Sequence, residues 1–311
     1  MKKIFTYLRE YLKNFWHFRL YAASALFLAV AIFVEYQFDF RRNYIEHYDN
    51  LFIQWLVVFL FYAVPYLLVC ALVYLFDIRR SFFKIPSFWI KFAVGFLILS
   101  FDQSYIPNVL IRGGLKDSAP YFYVTVFSWL TSLLFIVIPL IIFNIIIENI
   151  KGRNLYGLLI RKFDVKPYVL LLIISATFLF AGSFLQDVNS YYPRYLHSGG
   201  SNFAAINGLS EWVTVSMYEF SYGLSFISVE HFFRGFLVLG FVRYMRGYTI
   251  IPMVVCYCLL HFGKPIGETI TSIFGGYILG IFVYKTRNIW GGIILHIGIA
   301  LLMELFSYWN Q

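Results

Sequence analysis

Long apolar runs separated by short polar segments dominate the chain. A helix needs about 20 apolar residues to cross the hydrocarbon layer of a bilayer, since each residue adds about 1.5 Å along the axis. Reading the 311 residues for such runs, with proline, glycine and charged residues as breaks, predicts nine membrane-spanning helices. They fall near residues 20–38, 51–76, 86–101, 121–147, 168–185, 220–242, 249–262, 269–284 and 289–306.

Two of these runs give a weaker signal than the others. Lys91 interrupts the run at 86–101, and the run at 249–262 is short. The composition indicates the same class of protein, because 60% of the residues are hydrophobic, 13% are charged and the mean hydropathy is +0.72. We therefore expect an all-α fold, a polytopic transmembrane helical bundle of eight to nine spans.

Basic residues lie in short clusters between the apolar runs. The chain has 25 Lys and Arg residues and a net charge of +9. With a cytoplasmic N-terminus and nine alternating spans, 18 of the 25 fall on the cytoplasmic side, six fall outside and Arg234 lies within a span. The positive charge is therefore interpreted as a topology signal. We expect an integral, multi-pass membrane protein with its N-terminus in the cytoplasm and no nucleic-acid partner.

The distribution of polar residues divides the chain into three parts. Residues 1–185 hold five of the predicted spans and are interpreted as membrane scaffold helices. Residues 186–219 contain no clear span and are predicted to form an outer loop with an interfacial helix. Residues 220–311 combine the remaining spans with the ionisable residues that lie inside apolar runs, so we expect the functional helical core there.

The stretch VEHFFRGF, residues 229–236, places three ionisable side chains inside one apolar run. A charged side chain at the bilayer centre costs about 2.5–3.5 kcal/mol, so such residues usually face a protein interior and mark function. Glu230 and Arg234, at i and i+4, share a helix face and are expected to pair, which by itself fits a structural salt bridge. His231 projects about 100° away, so we predict a packing or helix-bridging role for it.

Two further histidines lie in apolar runs on other helices. Counted at about 1.5 Å per residue from the inner end of each span, Glu230 and His261 lie about 18 Å deep and His296 about 12 Å deep. Three helices thus deliver a carboxylate and two imidazoles to similar depths. A shared buried site explains this arrangement better than three unrelated polar residues, each of which is costly inside a span.

Two more carboxylates lie farther towards the outer side. Glu268 and Glu304 are each about 24–26 Å from the inner end of their spans. Glu268 follows His261 by seven residues and Glu304 follows His296 by eight, so each is about two turns from a histidine. We predict supporting roles for both carboxylates, either near the site or solvated at the outer edge, and a catalytic role is the remaining alternative.

Three fragments in the last third of the chain resemble motifs of the CPBP intramembrane proteases. This family includes the type II CAAX prenyl endopeptidase and bacteriocin-processing proteins. The fragments are VEHFFRGF with Glu230 and Arg234, YCLLHFGKP with Tyr257 and His261, and LHIGIA with His296. The resemblance covers about residues 205–308.

The resemblance implies an intramembrane endopeptidase that hydrolyses a peptide bond with glutamate-activated water. Glu230 with His261 is expected to provide the base and its orienting partner, His296 to donate to the oxyanion, and Arg234 to hold the carboxylate ionised. The expected partners are a membrane-associated peptide or protein substrate and the lipid bilayer. The supporting side chains are expected to be Arg234, His231, Glu268 and Glu304.

Two positions depart from the family's motifs. Val229 stands where the family has the first of two adjacent glutamates, the one taken as the base, and Ala300 stands where it has an asparagine. Either Glu230 serves as the base in a variant protease, or the chain is a non-hydrolytic relative that binds or protects a membrane partner. A transporter or channel with a buried polar relay is a third interpretation.

A zinc site is the alternative to metal-free chemistry. Glu230, His261 and His296 match a three-ligand zinc site with one open position. The sequence has no HExxH segment, and Arg234 on the carboxylate's own helix face disfavours a second cation there. We therefore expect no cofactor, and zinc is the open alternative.

Overall fold

A computed structural model describes residues 2–76, 78, 81–114, 120–148, 154–159 and 163–310. The described residues form helices and no strand, so the predicted all-α fold is confirmed. Short π-helical stretches occur at Arg41–Ile45, Leu133–Val137, Asn144–Glu148 and His231–Gly240. The α-helices are α1 Lys2–Phe15, α2 Phe18–Phe38, α3 Leu51–Leu75, α4 Pro86–Gln103, α5 Ile106–Gly114, α6 Tyr121–Ser132, α7 Ile138–Phe143, α8 Lys166–Gly182, α9 Gln186–Tyr191, α10 Gly200–Ile206, α11 Glu211–Glu230, α12 Val242–Met245, α13 Ile250–Leu259, α14 Ile266–Thr286 and α15 Trp290–Trp309.

Six helical segments of the described chain are long and apolar enough to cross a membrane. A seventh is obtained if α4 and α5, which meet at a bend of 55°, are counted as one span. The protein is thus an integral, multi-pass membrane protein, but the predicted eight to nine spans are not confirmed. The six segments are Phe18–Phe38, Leu51–Leu75, Tyr121–Glu148, Glu211–Leu259, Ile266–Thr286 and Trp290–Trp309.

Two local features account for the difference in span count. The apolar helix α8 is only 17 residues long. Residues 211–259, predicted as two spans, form one apolar segment by composition, yet the chain turns within it at Arg246, whose φ is 52°. After the turn, the ring of Tyr257 lies beside that of Phe233, with centroids 5.2 Å apart. The segment α13 therefore packs back against the helix that precedes the turn.

The helix α11 continues as the π-helix His231–Gly240, and α4 packs antiparallel to this π-helix. Lys91 Nζ donates to the carbonyl oxygen of Gly240 at 2.6 Å, and the rings of Phe96 and Phe232 lie 6.5 Å apart. Moving along α4 towards its C-terminus therefore corresponds to moving back from Gly240 towards α11. This pairing fixes which residues of the two helices share a level.

Lys91 does not end a span but lies buried in the helix packing. Its ammonium group forms an ion pair with Glu148, and the Tyr156 hydroxyl donates to Glu148 Oε2 at 2.7 Å. Both charged side chains are almost fully buried. Lys91, which interrupts the apolar run at 86–101, thus has its charge paired by a tertiary contact.

The helix α11 begins at Glu211, so it passes through the predicted boundary between residues 219 and 220. Before it, the predicted outer loop contains two short helices, α9 and α10. The helix α1 packs on the turn at residue 247, at the other end of the bundle from this loop. The Tyr11 hydroxyl donates to the Gly247 carbonyl at 2.9 Å. The division into scaffold, outer loop and core stays a prediction.

Candidate active site

Glu230 is the last residue of α11 and is fully buried. Its Oε1 lies 3.2 Å from Nη1 of Arg234, so the ion pair expected from the i, i+4 spacing is present. The π-helix starts immediately after Glu230 and replaces i→i+4 hydrogen bonds by i→i+5 bonds. The pair therefore forms across the junction of the two helix types.

Arg234 is also fully buried, and it contacts an aromatic ring in addition to Glu230. Its Cζ lies 3.8 Å from the centroid of the Tyr257 ring. A guanidinium over an aromatic face is attracted by the ring's π-electrons, and the attraction is strongest where water is excluded. Tyr257 thereby ties α13 to the Glu230–Arg234 pair.

His296, on α15, contacts the same carboxylate from the other side. Its Nδ1 lies 3.1 Å from Glu230 Oε1, and its Nε2 lies 3.5 Å from the Tyr257 hydroxyl. Because the carboxylate accepts a hydrogen bond, it favours the tautomer with the proton on Nδ1. Nε2 is then the unprotonated nitrogen, and its lone pair faces the Tyr257 hydroxyl as an acceptor.

Gly292, one turn before His296, allows α15 to approach Glu230. A Cβ atom at this position would lie 2.5 Å from Glu230 Oε2, too close for any real contact. The absence of a side chain therefore sets the distance between α15 and the carboxylate. The group that α15 approaches at Gly292 is thus the candidate catalytic carboxylate.

His261 lies in the turn that follows α13. Its Nδ1 donates to the carbonyl oxygen of Tyr257 at 2.9 Å, and its Nε2 lies 3.9 Å from Glu268 Oε1. The expected partnership of Glu230 with His261 is therefore not the contact that the structure shows. The imidazole that contacts Glu230 is that of His296.

A cavity of about 650 Å³ lies beside these residues. Its wall includes Val229, His261 and His296, but neither Glu230 nor Arg234. The two neighbours Val229 and Glu230 therefore face different surroundings, as expected from the 100° between successive helix positions. His296 contacts Glu230 and lines the cavity, so it connects the buried carboxylate to the cavity.

The cavity extends to the end of the molecule where the chain leaves α2, α9 and α13. The charged residues on this part of the wall are Asp39, Arg41, Arg42, Glu46, Arg194 and Lys264. Several are paired, such as Arg41 with Glu46 at 2.8 Å and Lys264 with Glu268 at 2.7 Å. Asp102, at the end of α4, also lines the cavity.

The predicted supporting residues hold the loops around the site. His231 is buried, and its Nε2 lies 3.1 Å from the Leu155 carbonyl, so it bridges α11 to the segment 154–159. Glu268 accepts from Lys264 and from the Tyr192 hydroxyl, the latter at 2.9 Å. Each side chain connects the helical core to a loop.

Glu304 is buried and binds backbone, which is a structural contact. Its oxygens accept from the backbone N–H groups of Arg194 and Tyr195 at 2.8 and 3.2 Å. Its carboxyl group also hydrogen-bonds to that of Glu219. Glu304 thus fixes the segment that carries Arg194, which lines the cavity.

Sequence reasoning missed two features of this site. Tyr257 was noticed only as the aromatic residue of a motif, yet it contacts Arg234, His261 and His296. Asp102 follows the predicted span 86–101, and its position at the end of an apolar run was the only signal that the sequence offered.

No metal centre is formed by the residues that the structure describes. Within them, no three His, Cys, Asp or Glu side chains are grouped so that they would hold a metal ion. The zinc alternative required Glu230, His261 and His296 as one ligand set, but Glu230 and His296 pair with each other while His261 faces Tyr257 and Glu268. The residues present do not fit a three-ligand zinc site.

Comparison with known proteins supports the resemblance in the sequence. Residues 210–302 match the family of Rce1-like type II CAAX prenyl endopeptidases, which covers less than a third of the chain. Searches of the curated proteins and of the solved structures return no significant match. The matched residues include Glu230, His261 and His296. They cover most of residues 205–308, the region in which the sequence resembles the family. Residues 210–302 are therefore similar to the Rce1-like type II CAAX prenyl endopeptidases, and this similarity supports the resemblance to CPBP proteases predicted from the sequence motifs.

Proposed function

We propose that this protein is an intramembrane endopeptidase that hydrolyses a peptide bond in a membrane-associated protein or peptide. The observation that carries the proposal is His296, which is held by Glu230 at 3.1 Å and lines a cavity of about 650 Å³. Hydrolysis within a membrane needs a space for water and substrate, a base, and donors for the oxyanion. The cavity and its two histidines are suited to supply these.

In this proposal the glutamate activates water through a histidine. Nε2 of His296 takes a proton from water in the cavity, and the Glu230 carboxylate stabilises the imidazolium that forms. Arg234 holds the Glu230 carboxylate in place, because its guanidinium lies 3.2 Å from Oε1. Glu230 then acts by orienting the base, although its own oxygens do not line the cavity.

His261 is assigned the donor role in the same cavity. Its Nδ1 is committed to the Tyr257 carbonyl, so Nε2 is the atom available for the reaction. When protonated, Nε2 donates a hydrogen bond to the oxyanion of the tetrahedral intermediate. This exchanges the roles of the two histidines relative to the sequence-based expectation.

We further propose that the hydrolysis is metal-free. Arg234 and His296 both contact Oε1 of Glu230, whereas His261 contacts Tyr257 and Glu268 instead of this carboxylate. A metal ion would also lie next to the buried guanidinium, where like charges repel.

The first experiment compares cells that express the wild-type protein with cells that express Glu230→Gln. We expect a membrane-peptide product to appear only with the wild type, with cleavage reduced about 100-fold or more, because a neutral amide does not stabilise the imidazolium of His296. The product is identified by mass spectrometry of membrane peptides. Cleavage by the purified protein should persist in a chelator, and one tightly bound zinc per chain would contradict the metal-free proposal.

Glu219→Gln is the matched control. Glu219 lies on the same helix as Glu230 and does not line the cavity, and its side chain neighbours that of Glu304, to which a glutamine amide can donate. Its cleavage should equal that of the wild type. If deletion of the protein causes a phenotype that Glu230→Gln fully rescues, the non-hydrolytic interpretation is correct instead.

A further inference from the structure

The cavity wall lacks a carboxylate at the position next to Glu230. Val229 lines the cavity, but its side chain has no polar atom. Glu230 has the carboxylate, but it is fully buried behind His296. If His296 removes one proton from the attacking water, nothing contributed by residues 229 and 230 accepts the other hydrogen. The water is then free to rotate, which weakens attack.

Asp102 supplies a carboxylate on the same cavity wall from a different helix. It lies at the end of α4, in the part of the chain that the sequence predicts to be scaffold. Leu99, one turn earlier on α4, also lines the cavity, so this face of the helix borders the cavity over at least a turn.

The packing of α4 places Asp102 near the level of Val229. A Cβ atom on Gly95 would contact the ring of Phe236, so these two residues face each other across the helix pair. Asp102 lies seven residues after Gly95, and Val229 lies seven residues before Phe236. Because the helices run antiparallel, the two positions lie within about one turn of the same depth.

The carboxylate of Asp102 is held in place without an ion-pair partner among the described residues. Gln103 Nε2 donates to Oδ2 at 2.9 Å, and the hydroxyl of Ser132 on α6 donates to the carboxylate as well. Ser132 also lines the cavity. Neutral donors orient a carboxylate while leaving it free to accept further hydrogen bonds, since each oxygen has two lone pairs.

We propose that Asp102 is a catalytic residue that orients the attacking water. Its carboxylate accepts a hydrogen bond from one O–H of the water, while Nε2 of His296 takes the other proton. The water oxygen bonds to the carbonyl carbon, and the C–N bond then breaks as His296 passes its proton to the leaving nitrogen. The second proton stays on the new carboxyl group and leaves to solvent. This inference rests on the proposed peptidase function.

The test uses purified protein in detergent and a library of intramolecularly quenched decapeptides, from which the peptide cleaved fastest by the wild type is chosen. Asp102→Ala should lower kcat about 100-fold with little change in KM, because water is misplaced while substrate binding persists. Asp102→Asn keeps one acceptor oxygen and should lose about tenfold.

A second-site variant separates catalysis from structure. Val229→Glu in the Asp102→Ala background places a carboxylate on the cavity wall near the same level, and it should raise kcat about tenfold above Asp102→Ala alone. Asp49→Asn is the matched control, because Asp49 is exposed in the segment before α3 and does not line the cavity. Its kcat should stay within about twofold of the wild type.

Three results overturn the inference, and they are distinguishable from one another. If Asp102→Ala retains wild-type kcat while Glu230→Gln is inactive, the peptidase function stands and the role of Asp102 is wrong. If Asp102→Ala loses activity together with thermal stability, and Val229→Glu restores neither, Asp102 has only a structural role. If the wild type cleaves none of the peptides, the proposed function is contradicted, and so is the inference that rests on it.

Discussion

Val229 and Glu230 are neighbours in the chain, yet their side chains have different surroundings. Val229 borders the cavity, and Glu230 lies behind its wall, bonded to Arg234 and His296. A substitution at one position therefore does not replace the other. This geometry favours a site in which the buried glutamate acts through a histidine, and it requires any second carboxylate to come from elsewhere.

Gly292→Ala tests how tightly α15 must approach the carboxylate. The added methyl group would lie 2.5 Å from Glu230 Oε2, so either the carboxylate or the helix must move. We expect a loss of about 1–3 kcal/mol in the free energy of unfolding, offset in part by the better helix propensity of alanine, together with reduced cleavage. Thermal and denaturant unfolding in detergent measure the first effect.

Gly275→Ala is the control for helix propensity. Gly275 lies in α14, and a Cβ atom there meets no other atom within 4 Å. This variant should be as stable as the wild type or more stable by up to about 1 kcal/mol. If the two variants had the same free energy of unfolding, the close approach of Gly292 to Glu230 would not contribute to stability.

At the scale of elements, α4 carries a buried, ion-paired lysine near one end and an aspartate that lines the cavity at the other. Lys91 anchors its inner part to Glu148 and to the π-helix, and Asp102 lies at its outer end. The spacing between these contacts fixes the level at which Asp102 meets the cavity. The helix predicted least securely from the sequence is thus placed by specific contacts at both ends.

Lys91→Met tests the inner anchor. Methionine fills a similar volume but leaves the Glu148 carboxylate buried without its cation. Removing one partner of a buried ion pair typically costs about 3–5 kcal/mol, so the variant should unfold at a clearly lower denaturant concentration. The double variant Lys91→Met, Glu148→Gln should recover part of this loss, since no uncompensated charge remains.

Lys84→Met provides the comparison for Lys91→Met. Lys84 is an exposed lysine shortly before α4, and surface substitutions usually change stability by less than about 0.5 kcal/mol. If Lys91→Met were no less stable than Lys84→Met, the ion pair with Glu148 would not stabilise the fold.

At the scale of the whole molecule, the cavity opens at one end of the bundle and α1 packs at the other. The cavity end carries the segments after α2, α9 and α13. The opposite end carries α1 and the turn at Gly247. With the N-terminus in the cytoplasm, as the basic residues predict, the cavity opens on the non-cytoplasmic side, and the proposed substrate is reached from there.

Cysteine labelling tests this orientation. The native cysteines Cys70, Cys256 and Cys258 are all buried, so the background should be low. Intact cells treated with a membrane-impermeant maleimide should label a cysteine introduced at Asn207, which is exposed before α11, and should not label one at Lys84, which is exposed before α4. Labelling of both positions after permeabilisation is the control. The reverse pattern in intact cells would contradict a cytoplasmic N-terminus.

Apolar run length and residue order determined much of this protein without a structure. A run long enough to cross a bilayer must satisfy its backbone hydrogen bonds internally, so the sequence predicts helices there. The cost of charge in a membrane likewise singled out Glu230, Arg234, His261 and His296. The i, i+4 pairing of Glu230 with Arg234 followed from helix geometry alone, because both residues belong to one element.

Only the tertiary structure decided how different elements meet. Contacts between helices depend on rotation, bends and the π-helix after Glu230, none of which is encoded in a local pattern of residues. For this reason the partner of Glu230 is His296 and not His261, and Asp102 of the presumed scaffold reaches the cavity. The number of spans is not confirmed either, because α8 is short and because residues 211–259 count as one apolar segment by length and composition although the chain turns at Arg246. Local periodicity fixes the face of a helix, whereas the packing of the whole bundle fixes what that face meets.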